Sequence, residues 1–180
     1  MRGVDDLADE VMKIGFSCTR CGACCTEVSG DSNLVIVSPP EVRAVAGAAG
    51  IPADEVADPF PEFLDGEDGR RFTFDWCLRR EGGRCRFLGE GRCRVYAARP
   101  WICRTYPFML DGDRLIVSEC PGLGRPIGRE AAIALARDLL ERQKAEVREE
   151  AGIRAVMGAV PVPSGSVAVI DSEGVWVVHG

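Results

Sequence analysis

Four cysteines fall within eight residues near the start of this chain, Cys18, Cys21, Cys24 and Cys25, in the run C-T-R-C-G-A-C-C. Thiols packed this closely are crosslinked, bound to a metal or reactive. Five more follow at Cys77, Cys85, Cys93, Cys103 and Cys120, so all nine cysteines lie in the stretch 18–120 of a 180-residue chain. An odd count opposes a fully paired disulfide framework. A chain of this length also builds a hydrophobic core without crosslinks. The N-terminus carries Asp5, Asp6, Asp9 and Glu10 and shows no continuous apolar leader, and no apolar run is long enough to span a membrane. The expected location is the cytoplasm, where thiols stay reduced and clustered cysteines signal metal or redox chemistry.

The spacing C-x2-C-x2-C-C suits ligation. Two-residue gaps let successive thiolates converge where the intervening backbone folds as a tight turn, and Gly22 permits the left-handed conformation such turns use. The opening resembles a ferredoxin-type run but departs at Cys25, which follows Cys24 directly. Adjacent cysteines rarely share one ion, so Cys25 is read as serving a second metal, remaining a reactive thiol or filling space.

The later cysteines are widely spaced with no second C-x2-C, unlike the paired knuckles of zinc ribbons, RING or LIM modules. His179 is the only histidine and reads as a solvated terminal residue, which excludes Cys2His2 and two-His-one-carboxylate sites. Sulfur is therefore the main donor. It selects zinc, iron–sulfur or copper(I) and disfavours magnesium and calcium. The acids next to cysteines, Glu27, Asp75 and Glu119, could serve as hard ligands or bases, but solvated carboxylates are the simpler reading.

Charge is uneven. The net charge is −6, yet ten arginines between Arg70 and Arg104 face only Asp75, Glu81 and Glu90, a local excess of seven positive charges. Thiolates around a metal carry net negative charge, and guanidinium groups nearby would offset it. That reading is preferred to nucleic-acid binding.

Helical spacing of Val4, Leu7, Val11 and Ile14 predicts a short amphipathic helix over 4–14. Leu34 to Val37 reads as a buried strand, followed by a helix from an Ser38 N-cap to about Ala49. Residues 52–69 read as loop or short helical turns, and alternation of Phe72, Phe74 and Trp76 as one strand ending at Cys77. Hairpins are expected around Asp111–Asp113 and Asp171–Gly174, with a long helix from Glu130 to about Ala151 stopped by Gly152. No internal repeat is read from the sequence. The class is α+β: a cysteine-cluster domain over 1–125, then a helix and β-hairpin over 126–180 packed on it.

The segments C-T-R-C-G-A-C-C, C-R-F-L-G-E-G-R-C-R-V-Y-A-A-R-P-W-I-C-R-T-Y-P-F and E-C-P-G resemble the CxxCxxCC cysteine-cluster family of zinc- or iron-chelating proteins (YkgJ-like) over roughly Phe16 to Gly122. The resemblance implies metal binding. Candidate metal ligands are Cys18, Cys21, Cys24, Cys25, Cys77, Cys85, Cys93, Cys103 and Cys120, enough for eight ligands and one spare thiol. Arg99 and Arg104, beside cysteines, are candidates to contact the cofactor, while Tyr96, Trp101, Tyr106 and Phe108 would wall the site from water. The leading expectation is an iron–sulfur cluster with a role in redox chemistry or in support of protein modification. Its alternative is a zinc-binding structural or interaction module without redox chemistry. A thiol enzyme using Cys24 and Cys25 leaves the other cysteines unexplained. The expected partner is another protein, neither nucleic acid nor membrane.

Overall fold

A computed structural model describes residues 2–26 and 34–178. Glu27 and His179 lie outside the described residues. The chain is α+β. Helix α1 (Val4–Ile14) is followed by the cysteine turn, β1 (Ile36–Val37), α2 (Pro39–Ala49), β2 (Ala57–Pro59), β3 (Leu64–Asp65), β4 (Arg71–Thr73) and β5 (Trp76–Leu78). Two short hairpins come next, β6 (Arg80–Glu81) with β7 (Arg84–Cys85), then β8 (Leu88–Gly89) with β9 (Arg92–Cys93). Helix α3 (Trp101–Thr105), the hairpin β10 (Phe108–Asp111) and β11 (Arg114–Val117), helix α4 (Arg129–Ala159) and the hairpin β12 (Val167–Asp171) and β13 (Gly174–Val177) complete it.

Helix α1 forms where the apolar spacing predicts it. Leu7, Ala8 and Val11 are fully buried against Phe108, Leu115 and the α4 residues Ala132, Leu135, Ala136 and Leu139. Each such leucine buried contributes about 2 kcal/mol of transfer free energy. At the exposed edge, Arg129 at the start of α4 pairs with Asp5 and Asp9 of α1. A second core lies beneath the two short hairpins, where Val37, Val45, Val56, Leu78, Phe87 and Val95 pack with Cys85 and Cys93 at its margin.

Three expectations need correction. The Phe72–Cys77 stretch is two strands in different sheets: β4 lies between β3 and β12, whereas β5 lies between β1 and β2. The chain changes sheets at Phe74–Asp75, and the two sheets are joined by Trp76 Nε1 donating to the buried Asp171 carboxylate at 2.9 Å. Residues 52–69, read as loop or helical turns, also hold β2 and β3. Helix α4 does not stop at Gly152 but runs on to Ala159. A Cβ at Gly152 would stand 2.5 Å from the Ser172 Cβ, so glycine there permits the close approach of the β12–β13 turn. Glu149, one turn earlier, holds the same turn by accepting from Ser172 N and Oγ at 3.0 and 2.8 Å.

The other elements fall near their expected limits. Strand β1 covers only the last two residues of the expected 34–37 strand. Helix α2 begins after Ser38, with Glu41 Oε2 accepting from Ser38 N at 2.9 Å and from Ser38 Oγ at 2.7 Å. Both expected hairpins form, pairing Asp111 with Arg114 and Asp171 with Gly174 across their turns. Among the described residues, no helix is long and apolar enough to cross a membrane.

Candidate metal centre

The cysteine run folds as a turn rather than as a regular element. Gly22 takes the left-handed conformation (φ 74°), and Cys25 N donates back to Gly22 O at 2.9 Å, closing one turn over Ala23–Cys25. Both ends are anchored. Before the run, Ser17 N donates to Gly122 O at 3.0 Å and Phe16 bridges to Leu123. After it, Thr26 bridges to Arg84 of β7. The turn is thereby strung between the segment holding Cys120 and the hairpin holding Cys85.

The two short hairpins are copies of one device. G-R-C-R recurs at 83–86 and 91–94, an eight-residue offset. Each turn has two central residues at positive φ, Gly82 and Gly83 in one, Glu90 and Gly91 in the other. Cys85 pairs with Arg80 in the first hairpin and Cys93 with Leu88 in the second. Arg86 N donates to Arg79 O at 2.9 Å and Arg94 N to Phe87 O at 2.8 Å, repeating the same closure. The expectation of no internal repeat is corrected here. The unit was too short for a fold-level period, and the G-R-C-R pair was its visible signal.

Helix α3 has five residues and carries Cys103 in its middle. So short a helix is not stable by itself, and its neighbours hold it. Glu41 Oε1 accepts from Trp101 N at 2.7 Å. Thr105, fully buried, donates from Oγ1 to Trp101 O at 2.8 Å and accepts from Arg142 Nη1 of α4 at 3.0 Å. None of these holding residues was singled out as a site residue, because their partners lie 37 and 60 positions away in sequence.

Eight of the nine cysteines line two adjoining cavities. One, of about 120 Å³, is lined by Cys18, Cys24, Cys25, Cys85, Cys93 and Cys103, with Phe87, Leu88, Val95 and Tyr96 as walls. The other, of about 460 Å³, is lined by Cys18, Cys21, Cys24, Cys103 and Cys120, with Tyr106 and Glu119. Cys18, Cys24 and Cys103 belong to both. Cys77 lines neither; it is buried in β5 with its thiol 3.8 Å from Pro59 O.

The electrostatics follow from this crowding. Cys24 and Cys25 place their sulfurs 3.9 Å apart. A hydrogen bond from Cys25 lowers Cys24 to about 6, and the same contact drives Cys25 up. Burial pushes Cys103 up, and the neighbouring Cys85, Cys24 and Cys93 push the same way, with Arg99 opposing. Burial also raises Cys85 and Cys120, while the backbone N–H of Ala23 lowers Cys21. Several thiolates cannot coexist in such a space without a cation among them. The donor set is therefore suited to a thiophilic metal ion or cluster. Among the described residues no three histidine, cysteine, aspartate or glutamate side chains are gathered closely enough to grip an ion as they stand. The fit rests on donor chemistry and on the shared cavity walls.

The arginines divide. Arg99 lines both cavities, stacks 3.6 Å from the Tyr96 ring centre and donates to Tyr96 O and Cys103 O. Arg104 faces the other way, over the Trp101 ring and towards Asp138 of α4 at 3.4 Å. In the arginine-rich stretch Arg70, Arg71, Arg79 and Arg86 are also ion-paired, to Asp68, Asp65, Asp58 and Glu55. Much of that local positive charge is offset by carboxylates rather than by the cysteines. Of the expected walls, Tyr96 and Tyr106 line the cavities, whereas Phe108 is buried in the α1–α4 core and Trp101 faces a different cavity. Asp75 lies in that same separate cavity.

No curated protein and no solved structure matches the chain. A family model does match, over residues 17–121, more than half of the chain, and its description reads "putative zinc- or iron-chelating domain". The matched segment starts at Ser17, beside Cys18, and ends just past Cys120, so it contains every cysteine that lines the two cavities. On that match the chain belongs to the CxxCxxCC family of zinc- or iron-chelating domains.

Proposed function

We propose that the protein holds an iron–sulfur cluster through cysteines of the two adjoining cavities and serves a partner protein as a redox or protein-modification support module. The observation that carries this reading is the gathering of Cys18, Cys21, Cys24, Cys25, Cys85, Cys93, Cys103 and Cys120 on shared walls, with Cys77 left over. Eight ligands and one spare thiol is the arithmetic the sequence allows. An iron–sulfur cluster held there would supply one-electron transfer. The residues of the chain then have separable tasks. Phe87, Leu88 and Val95 exclude water, Arg99 sets positive charge beside the thiolates, and α3 fixes Cys103. The second reading is structural zinc, favoured by the family description, which names zinc beside iron, and by thiolate donors that suit it equally.

Anaerobic purification separates the two. The cluster reading expects brown protein whose visible absorption bleaches on reduction, with iron and acid-labile sulfide in comparable amounts. Colourless protein holding stoichiometric zinc under the same conditions sides with the structural module.

A further inference from the structure

A third cavity, of about 520 Å³, lies on the other side of α3 from the cysteines. Trp101 and Ile102 line it, while the next residue, Cys103, lines the cysteine cavities. Its walls are mainly apolar, from Ile36, Phe74, Trp101, Ile102, Ile153 and Met157. The volume falls in the range of small-molecule sites. Five carboxylates and two guanidinium groups also line it, and nearly all are committed. Glu41 uses both oxygens on Ser38 and Trp101, and Glu149 both on Ser172. Glu146 pairs with Arg142 and Glu150 with Arg154.

Asp75 is the exception. Its carboxylate has no hydrogen-bond or ion-pair partner among the described residues, and burial raises its pKa. It sits at the two-residue break between β4 and β5, and its backbone is fixed by Phe60 N donating to Asp75 O at 2.9 Å. A half-buried carboxylate left without a counter-charge, in an apolar hollow whose lining carries excess negative charge, is complementary to a cation with an apolar body.

We propose that this cavity binds a small organic cation, an ammonium or amidinium group on an aromatic or aliphatic body. Asp75 receives the charged head, and Phe74, Trp101, Ile153 and Met157 enclose the body. The ligand then lies one short helix away from the cysteines. The assignment is independent of which metal the cysteines hold, and its failure would leave that reading untouched.

The test is calorimetric titration of the full chain, as purified with its metal, using 3-phenylpropylammonium and its neutral analogue 3-phenylpropanol. The proposal expects saturable binding of the ammonium, with the alcohol weaker by about tenfold or more, the loss of one charge-assisted hydrogen bond. Asp75→Asn, checked for an intact melting transition, should weaken the ammonium by a similar factor and leave the alcohol unchanged. A second variant, Ala145→Trp, fills the cavity from α4 and should weaken both probes. Equal affinity for the two probes, unchanged ammonium binding in Asp75→Asn, or no saturable binding of the ammonium would each overturn the proposal.

Discussion

Arg142 Nη1 donates a 3.0 Å hydrogen bond to Thr105 Oγ1, joining the long helix α4 to the five-residue helix that carries Cys103. Arg142 is nearly buried and Thr105 wholly so, and Arg142 Nε reaches the half-exposed Glu146 at 2.7 Å. A part of the chain outside the family match thereby holds a candidate ligand in place. Thr105→Val keeps the shape of the side chain but leaves the Arg142 Nη1 proton without this acceptor. The expected cost is about 2 kcal/mol, a fall in melting temperature of roughly 4–8 °C. Thr105→Ser restores the hydroxyl and should recover most of it. Equal melting temperatures for the two variants would mean that the bond contributes nothing.

Glu41 has two tasks that mutation can separate. Its Oε2 serves the start of α2 through Ser38, and its Oε1 serves α3 through Trp101 N. Ser38→Ala touches only the first and should cost about 1 kcal/mol with metal content unchanged. Glu41→Ala removes both, should cost roughly 2 kcal/mol, and should weaken metal retention by about tenfold in a chelator competition. Identical metal retention in the two variants would confine Glu41 to capping.

Cys77 distinguishes a ligand from a core thiol. Burial raises it to about 11, and its sulfur faces Pro59 O rather than the other cysteines. Cys77→Ala should therefore retain its metal and lose only about 1 kcal/mol of packing. Cys103→Ser should release metal and destabilise the whole domain. Loss of metal from a folded Cys77→Ala protein would return Cys77 to the ligand set.

Much of this was legible along the chain. Cysteine spacing pointed to a zinc- or iron-chelating family, Ser38 and the apolar periodicity of α1 to their helices, and Asp171–Gly174 to its hairpin, because each signal is local. What escaped was set by contacts distant in sequence. Gly152 looked like a helix stop, but its missing side chain makes room for Ser172 twenty residues on. The alternation of Phe72, Phe74 and Trp76 predicted one strand, yet the chain divides at Asp75 because β12 claims β4 while β1 and β2 claim β5. Cys77 counted as one more thiol until β5 set its sulfur beside Pro59 O, away from both cysteine cavities.

Asp75 also gives a pH signature. Burial holds its folded pKa above the ordinary 3.8, so the fold prefers the neutral acid. The favourable contribution of the protonated form is present in acid and is lost as pH rises through the folded value. At neutral pH the ionised carboxylate opposes folding. Asp75→Asn should therefore melt above the parent chain at pH 7, with the difference shrinking as pH falls towards 3.8. Thermal melts of both proteins across that range check it; a difference independent of pH, or of opposite sign at neutral pH, would contradict the account.

Sulfur-based metal binding is the central claim, and native mass spectrometry of anaerobically prepared protein tests it most directly. The account predicts a mass above that of the 180-residue chain by the weight of bound iron and inorganic sulfide, reverting to the bare chain on acidification. A spectrum showing only the bare chain would contradict it.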